Sequence, residues 1–374
     1  MLIKGIKYYG DDFRFHYGNI EIADGRFARV TERGAPPEGC DCMLPGLIDI
    51  HVHGSSGADF SDGDYDGLVT MARFLAREGT TGFSATSITL PEQTIAKAYK
   101  AAARLRGSEP AGCARILGIT MEGPFFNEKK KGAQSGEYLR LPDVSLFERL
   151  QKAADGMIHL ICVAPELEGA VEFIQAVSRT GVTVAAAHTE ADYEEAVSGF
   201  DSGITHLTHL FNAMPPFLHR EPGIIGAAAE RSEVTAELIC DGVHVHPSAV
   251  RAAFKLFGAG RICLVSDAVA ACGTSGGCML GGQRVTVSEG RAALSDGTIA
   301  GSVLTLFDCL KKAVAFGIAP EDAVRCAAAN PARVLGIDDT GIIAEGKRAD
   351  FLICGDDFKL KDVYISGKRL ERTQ

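Results

Sequence analysis

Nowhere in these 374 residues does an apolar run approach the roughly 20 residues that a helix needs to span a bilayer. The N-terminus, Met1-Leu2-Ile3-Lys4-Gly5, also lacks the apolar stretch of a secretory leader. The sequence therefore predicts a cytoplasmic protein with no membrane partner. Positive charge is scarce: the formal net charge is −10, and Lys129-Lys130-Lys131 is the one dense basic run. No cluster is large enough to displace the counterions of a nucleic acid, so that partner is excluded and the lysine run reads as a solvated loop. A cysteine framework is missing as well. The eleven thiols are odd in number and scattered from Cys40 to Cys354, mostly in apolar stretches such as Ile161-Cys162-Val163 and Ile262-Cys263-Leu264. The closest pair, Cys40 and Cys42, does not have the C-x2-C spacing of a zinc ribbon. They read as buried thiols in a reducing compartment. Long repeats and low-complexity tracts are absent, and a composition of 46% hydrophobic and 23% charged residues excludes disorder, collagen and coiled coil.

What is present is a regular alternation of short β-type apolar runs with longer helical patterns, the mark of parallel βα units. The expected strands are 43–50, 80–86, 115–121, 158–164, 182–187, 204–208, 234–240 and 262–266. Helical patterns at 65–78, 92–106, 168–179 and 247–257 lie between them, with apolar residues three and four apart. Eight strands close a (β/α)8 TIM-like barrel. Periodicity alone leaves a doubly wound open sheet possible, but the residues just past the strand ends favour the barrel. They are His51 and His53, Thr86 and Ser87, Glu122, Glu166, His188, His209, Asp241 and His244, and Asp267. A barrel gathers such side chains over one mouth, where barrel enzymes build their sites; an open sheet spreads them along an edge.

Residues 1–46 alternate in short runs broken by Asp24-Gly25, which is hairpin chemistry, and residues 343–374 again read as strands. These two segments predict one small β-sandwich domain built from both termini, around a catalytic barrel of residues 47–342. The glycine-rich stretch 272–299 reads as a hairpin excursion or lid after the eighth strand, followed by a helix over 303–316.

In Asp49-Ile50-His51-Val52-His53 the period of two points both imidazoles to one face of a strand, offering two nitrogen donors to one metal. Glu122 steps out of an apolar strand into Gly123-Pro124, and His188 ends the small-residue run Val184-Ala185-Ala186-Ala187. His206 and His209 are three apart and face opposite ways on a continuing strand; His209, nearer the carboxyl end, is the better ligand. Asp267 follows the mostly apolar strand Leu264-Val265-Ser266, where a free carboxylate is costly unless it meets a cation or a proton donor. Each residue alone has an ordinary structural explanation; their conjunction at successive strand ends predicts a metal centre.

Pro45-Gly46-Leu47-Ile48-Asp49 with the His pair resembles the opening of amidohydrolase-superfamily barrels. The segments Met121-Glu122-Gly123-Pro124-Phe125, Lys131-Gly132-Ala133-Gln134, His209-Leu210-Phe211-Asn212-Ala213-Met214, Arg220-Glu221-Pro222-Gly223, Asp241-Gly242-Val243-His244 and Ala300-Gly301-Ser302 narrow the resemblance to the N-acetylglucosamine-6-phosphate deacetylase family, in order and over nearly the whole chain. That resemblance implies a metal-dependent hydrolase releasing acetate from N-acetyl-D-glucosamine 6-phosphate in amino-sugar catabolism or cell-wall recycling. It further implies Glu122, His188 and His209 as shared metal ligands, and Asp267 as the catalytic carboxylate. Gln134, Asn212, Ala213, Arg220 and His244 become substrate contacts, with Gln134 standing where other members carry a histidine. Some members replace the first His pair with amides and use one metal; His51 and His53, with Asp267, imply a second. The family's arginine at position 220 can reach a neighbouring subunit, which implies a homodimer.

Elementary chemistry agrees. An amide is a poor electrophile and water of pKa ~15.7 a poor nucleophile, and a bound zinc-like ion corrects both. Zinc or iron suits a mixed histidine and carboxylate set, one or two ions per chain. Asp267 is placed to take the water's proton and return it to the leaving nitrogen. Arg220 offers a fork of donors and the turn at Asn212-Ala213 a backbone nest for phosphate. The alternatives are another amidohydrolase, acting on a different N-acyl sugar or a cyclic amide, and a non-catalytic barrel scaffold. Cyclic amidases commonly bridge two metals with a modified lysine after the fourth strand, where this chain reads Val163-Ala164-Pro165-Glu166.

Overall fold

The computed structural model describes residues 1–371; positions 372–374 of the expected C-terminal segment lie outside the described residues. Leu47–Val52, Thr80–Ser87, Arg115–Phe125, Ile158–Val163, Thr183–Ala186, Ile204–Leu207, Thr235–Ile239 and Ile262–Val265 form an eight-stranded parallel sheet in chain order, strands one to eight below. Thr80–Ser87 is buried along its whole length, as a parallel strand covered on both faces must be. The last strand meets the first: Val52 and Ala268 form a parallel bridge, Asp267 N–H donates to His51 O at 2.9 Å and His53 N–H to Ala268 O at 2.9 Å. The sheet thus closes into a (β/α)8 barrel. In strand one, Leu47 and Val52 join the large cluster that holds the apolar stripes of the surrounding helices, while Ile48 and Ile50 cluster with Leu117, Ile239, Cys263 and Val265 of other barrel strands and with Ala332 and Leu335; Asp49 and His51 are fully buried.

The surrounding helices follow their patterns. Tyr65–Arg77 begins where the Asp64 carboxylate accepts from the N–H groups of Asp66 and Gly67, and it buries the stripe Leu68, Met71, Ala72 and Leu75. Pro247–Phe257 matches its expected bounds. Two helices start later than their apolar periodicity suggests. The helix expected from 168 begins at Ala170, after Gly169 at φ 79°, and the one expected from 303 is Leu306–Ala315, because Thr305 and Asp308 form a reciprocal capping box there.

The chain ends build a separate sheet. Its seven strands run Lys368–Arg369, Leu360–Ile365, Phe351–Cys354, Cys42–Pro45, Leu2–Tyr9, Phe15–Ala23 and Arg26–Glu32 in space. The single strand expected at 43–50 is therefore two: Cys42–Pro45 belongs to this sheet and Leu47–Val52 to the barrel. Gly46 makes the switch, since a Cβ there would lie 2.0 Å from Thr81 Oγ1. The excursion after strand eight is a three-stranded antiparallel sheet, Cys278–Leu280, Gln283–Ser288 and Arg291–Ala293. All eleven cysteines are free thiols, nine of them buried.

Candidate active site

Six of the sequence-selected residues, the candidate metal ligands, converge at the carboxyl mouth of the barrel. His51, His53 and Asp267 form one group, and Glu122, His188 and His209 a second; within each, one potential ligand atom per residue lies within 4.8 Å of the others. All six are buried. Glu122 stands between the groups. Its Oε1 is 3.2 Å from both His188 Nε2 and His209 Nε2 and 3.6 Å from His51 Nε2, while Oε2 is 3.6 Å from His53 Nε2. Asp267 Oδ1 approaches His53 Nε2 at 3.2 Å and His51 Nε2 at 3.5 Å.

The outer nitrogens of the four rings decide what the inner ones present. His51 Nδ1 meets Glu237 Oε2 at 2.8 Å, His53 Nδ1 meets Thr86 O at 3.2 Å, His188 Nδ1 meets Lys130 O at 2.7 Å and His209 Nδ1 meets Asn212 O at 3.2 Å. Each partner can only accept, so each Nδ1 carries the hydrogen and each Nε2 turns a lone pair inward. Yet His51 Nε2 and His53 Nε2 face each other at 3.3 Å, and His188 Nε2 and His209 Nε2 at 3.2 Å. Two lone pairs do not bind one another, whereas a cation between them satisfies both. The donor set therefore fits a metal, and three protein ligands with open positions is the catalytic rather than the structural pattern.

Electrostatics point the same way. Burial works against ionisation of Glu122, but His51, His188 and His209 outweigh it and hold its carboxyl well below the ordinary range. Burial likewise opposes ionisation of Asp267, overcome by the hydrogen bond with His53 and the charges of His51 and His244. Burial would lower His51, yet Glu237, Glu122 and Asp267 raise it, so the surrounding carboxylates favour a positive charge where Nε2 points, which a metal ion would supply in place of a proton. The mouth is a cradle of ionised carboxylates aimed at positive charge. His188, His209 and Asp267 also sit at φ 48°, 31° and 50°, conformations that cost a non-glycine residue about 1–3 kcal/mol and that collect at functional sites.

Above the two groups opens a cavity of about 360 Å³, whose walls include Gln134, Asn212, Ala213 and His244. Asp241 accepts from His244 Nδ1 at 2.6 Å, leaving His244 Nε2 3.9 Å from Asp267 Oδ2. Gln134 is pinned at both ends: Nε2 donates to Glu122 Oε2 at 2.6 Å and Oε1 accepts from Thr89 N–H at 2.7 Å. Leu280, Thr298 and Ile299, within or just beyond the glycine-rich excursion, reach the same cavity. Arg220 is not among its walls. It is exposed and borders a separate cavity with Glu190, Asp192 and Glu221.

Three residues take places that their sequence patterns conceal. The lysine run read as a solvated loop lines the mouth instead: Lys129 and Lys130 face the cavity, and Lys130 pairs with Glu190 at 3.0 Å. The chain bends inward here because Asn127 Oδ1 accepts from Lys129 N–H, capping a single turn. Glu237, unselected by sequence, is fully buried beneath the His pair. The available signal was a glutamate in the middle of the apolar strand Thr235–Ile239. His206, set aside in favour of His209, points to Glu237 and Thr235 rather than to the metal groups.

Comparison with known proteins supplies a context for this geometry. The chain is 38% identical over 370 residues, covering 96% of it and 93% of the relative, to N-acetylglucosamine-6-phosphate deacetylase of Bacillus subtilis. It is 33% identical over 359 residues, covering 93% of each chain, to N-acetylgalactosamine-6-phosphate deacetylase of Escherichia coli O157:H7. Its fold superposes with a TM-score of 0.92, at 33% identity and covering 99% of this chain and 98% of the other, on a Mycobacterium smegmatis N-acetyl-D-glucosamine-6-phosphate deacetylase variant solved with N-acetyl-D-glucosamine 6-phosphate. The amidohydrolase family matches residues 42–370, the barrel with every candidate ligand included. With that coverage and the histidine and carboxylate mouth already described, the chain belongs to the amidohydrolase family.

Proposed function

We propose that this chain hydrolyses the acetamide of N-acetyl-D-glucosamine 6-phosphate, releasing acetate and D-glucosamine 6-phosphate. The carrying observation is the pair of donor groups sharing Glu122 beneath a cavity walled by Gln134, Asn212, Ala213 and His244. The relatives' activity and the substrate bound in the Mycobacterium smegmatis structure supply the substrate class. Glu122, His188 and His209 would hold one ion, and His51, His53 and Asp267 a second. Zinc or iron suits these donors. A divalent ion bound there supplies Lewis acidity toward the amide carbonyl and acidifies water.

The chain's own groups do the rest. Asp267, ionised and at the edge of the cavity, accepts the proton of the attacking water at a carboxylate oxygen and delivers it to the leaving sugar nitrogen. Burial works against protonation of His244, but its hydrogen bond to Asp241 and the charge of Asp267 raise it and favour the imidazolium, which keeps Nδ1–H on Asp241 and can donate from Nε2 to the sugar or to the developing oxyanion. The amide of Gln134 holds Glu122 and orders the wall beside the acetamide. The backbone N–H of Ala213, beside Asn212 in the cavity wall, receives the phosphate. Arg220 completes that anion site from the neighbouring subunit of a cytoplasmic homodimer, which accounts for its exposed position away from its own cavity. Acetate release with metal analysis tests the proposal. N-acetylglucosamine 6-phosphate should be the best substrate, ahead of its galactosamine epimer and of unphosphorylated N-acetylglucosamine, and chelation should abolish turnover. Faster release from the epimer moves the assignment to the second sugar. No release from either, with turnover of a cyclic amide, overturns it.

A further inference from the structure

We infer that Glu237 is the positioning residue that orients His51 and fixes the spacing between the two donor groups. Its side chain lies at the centre of strand seven with 0% exposure. No lysine or arginine pairs with it among the described residues; every recorded partner is a histidine. A buried carboxylate so placed is costly, and a purely structural position would be better filled by an apolar side chain. What it does is specific. Oε2 accepts from His51 Nδ1–H at 2.8 Å and also from the backbone N–H of His209 at 3.0 Å. One oxygen atom therefore touches a member of each donor group.

Oε1 faces His206 Nε2 at 3.3 Å, and His206 Nδ1 faces the Thr235 hydroxyl at 2.6 Å. This gives the buried His206 a function: it props the carboxylate from the side opposite His51. The contrast among the four ligand imidazoles sharpens the point. Three of them rest on neutral backbone carbonyls, and His51 alone rests on a charged oxygen. A carboxylate behind a ligand imidazole fixes its tautomer and raises its basicity, and loss of such a partner typically weakens metal binding 10- to 100-fold. The inference rests on the reading of His51 as a metal ligand, and it assigns Glu237 to the second ion rather than to the reacting atoms.

The test is metal binding. Wild type, Glu237→Gln and Glu237→Asp are stripped with chelator and titrated with Zn²⁺ in chelator-buffered solution, and with Co²⁺ followed by its visible absorption. Gln keeps the shape and three hydrogen bonds, since its amide nitrogen can donate to His206, but removes the charge. Asp keeps the charge and withdraws it by one methylene. The wild type should take up two equivalents. Both variants should hold the ion of Glu122, His188 and His209 with unchanged affinity and bind the other about 10- to 100-fold more weakly, so that the Co²⁺ spectrum stops developing near one equivalent. Melting temperatures establish that each variant is folded. A folded variant of either kind that binds both ions like the wild type overturns the inference alone. A wild type that binds one ion, unaffected by His51→Ala, overturns the ligand reading and the inference with it.

Discussion

Asp267 combines three properties that rarely meet in one residue: a left-handed backbone at φ 50°, near-complete burial and an ionised carboxylate. Asparagine tolerates that backbone better than most residues and has almost the same shape, so Asp267→Asn should fold normally. It removes a proton acceptor and weakens a metal group, and kcat should fall at least ~10²-fold. Steady-state kinetics at saturating metal check this; activity near that of the wild type would mean the carboxylate serves only to hold the chain turn. The sequence exposed Asp267, Glu122 and His188 because each polar side chain closes an apolar run. His209 was preferred over His206 because it lies nearer the carboxyl end of the strand, and the structure turns the two rings to different partners. Glu237 escaped because its apolar neighbours identify a strand but not which of its side chains face a polar axis. The lysine run escaped because exposure is a property of the loop's path, which Asn127 bends.

Among the elements, strand three and the segment leading to the terminal sheet are tied by a two-pronged ion pair. Arg115 Nη1 and Nη2 donate to Asp339 at 2.8 and 2.6 Å. The hydrogen bond from Arg115 holds the Asp339 carboxyl below its ordinary value. A carboxyl depressed in the folded state contributes stability that is complete above its unfolded pKa of ~3.9 and disappears as pH falls through the folded value. Asp339→Asn should therefore cost about 0.5–1 kcal/mol at pH 7, the range for a partly exposed pair, and the gap to wild type should close below about pH 4. Urea unfolding at both pH values is the measurement, and a gap independent of pH would assign the loss to shape rather than charge. Element positions were the most legible layer, because buried parallel strands leave uninterrupted apolar runs. Boundaries were less so. The run at 43–50 crosses two sheets without a change of hydropathy, and only the contact of Gly46 with Thr81 reveals the switch.

For the whole molecule, the proposal that Arg220 serves a neighbouring subunit's site would make the oligomer part of the chemistry. If a partner's phosphate receives it, Arg220→Ala loses a charge-assisted contact of roughly 1.5–3 kcal/mol, which lowers kcat/KM for the 6-phosphate substrate about 10- to 100-fold. Turnover of unphosphorylated N-acetylglucosamine should barely change. Mixing Arg220→Ala with Asp267→Asn chains should restore activity, because a heterodimer then holds one site with neither defect; no recovery after proven subunit exchange would confine Arg220 to its own chain. The barrel's closure has a mechanical consequence. Strands one and eight are stitched at their upper ends, through His51, His53, Asp267 and Ala268, with the Asp49 carboxylate accepting from Ser266 N–H at 3.3 Å across 217 residues of sequence. An ion gripped by His51, His53 and Asp267, as proposed, would be a clasp that joins the two ends of a hoop. Removing it should let the hoop part there first. Amide exchange at the backbone N–H groups of Asp267 and His53 and the unfolding rate should both rise more in His51→Ala, which weakens the clasp alone, than in His188→Ala, which weakens the other ion.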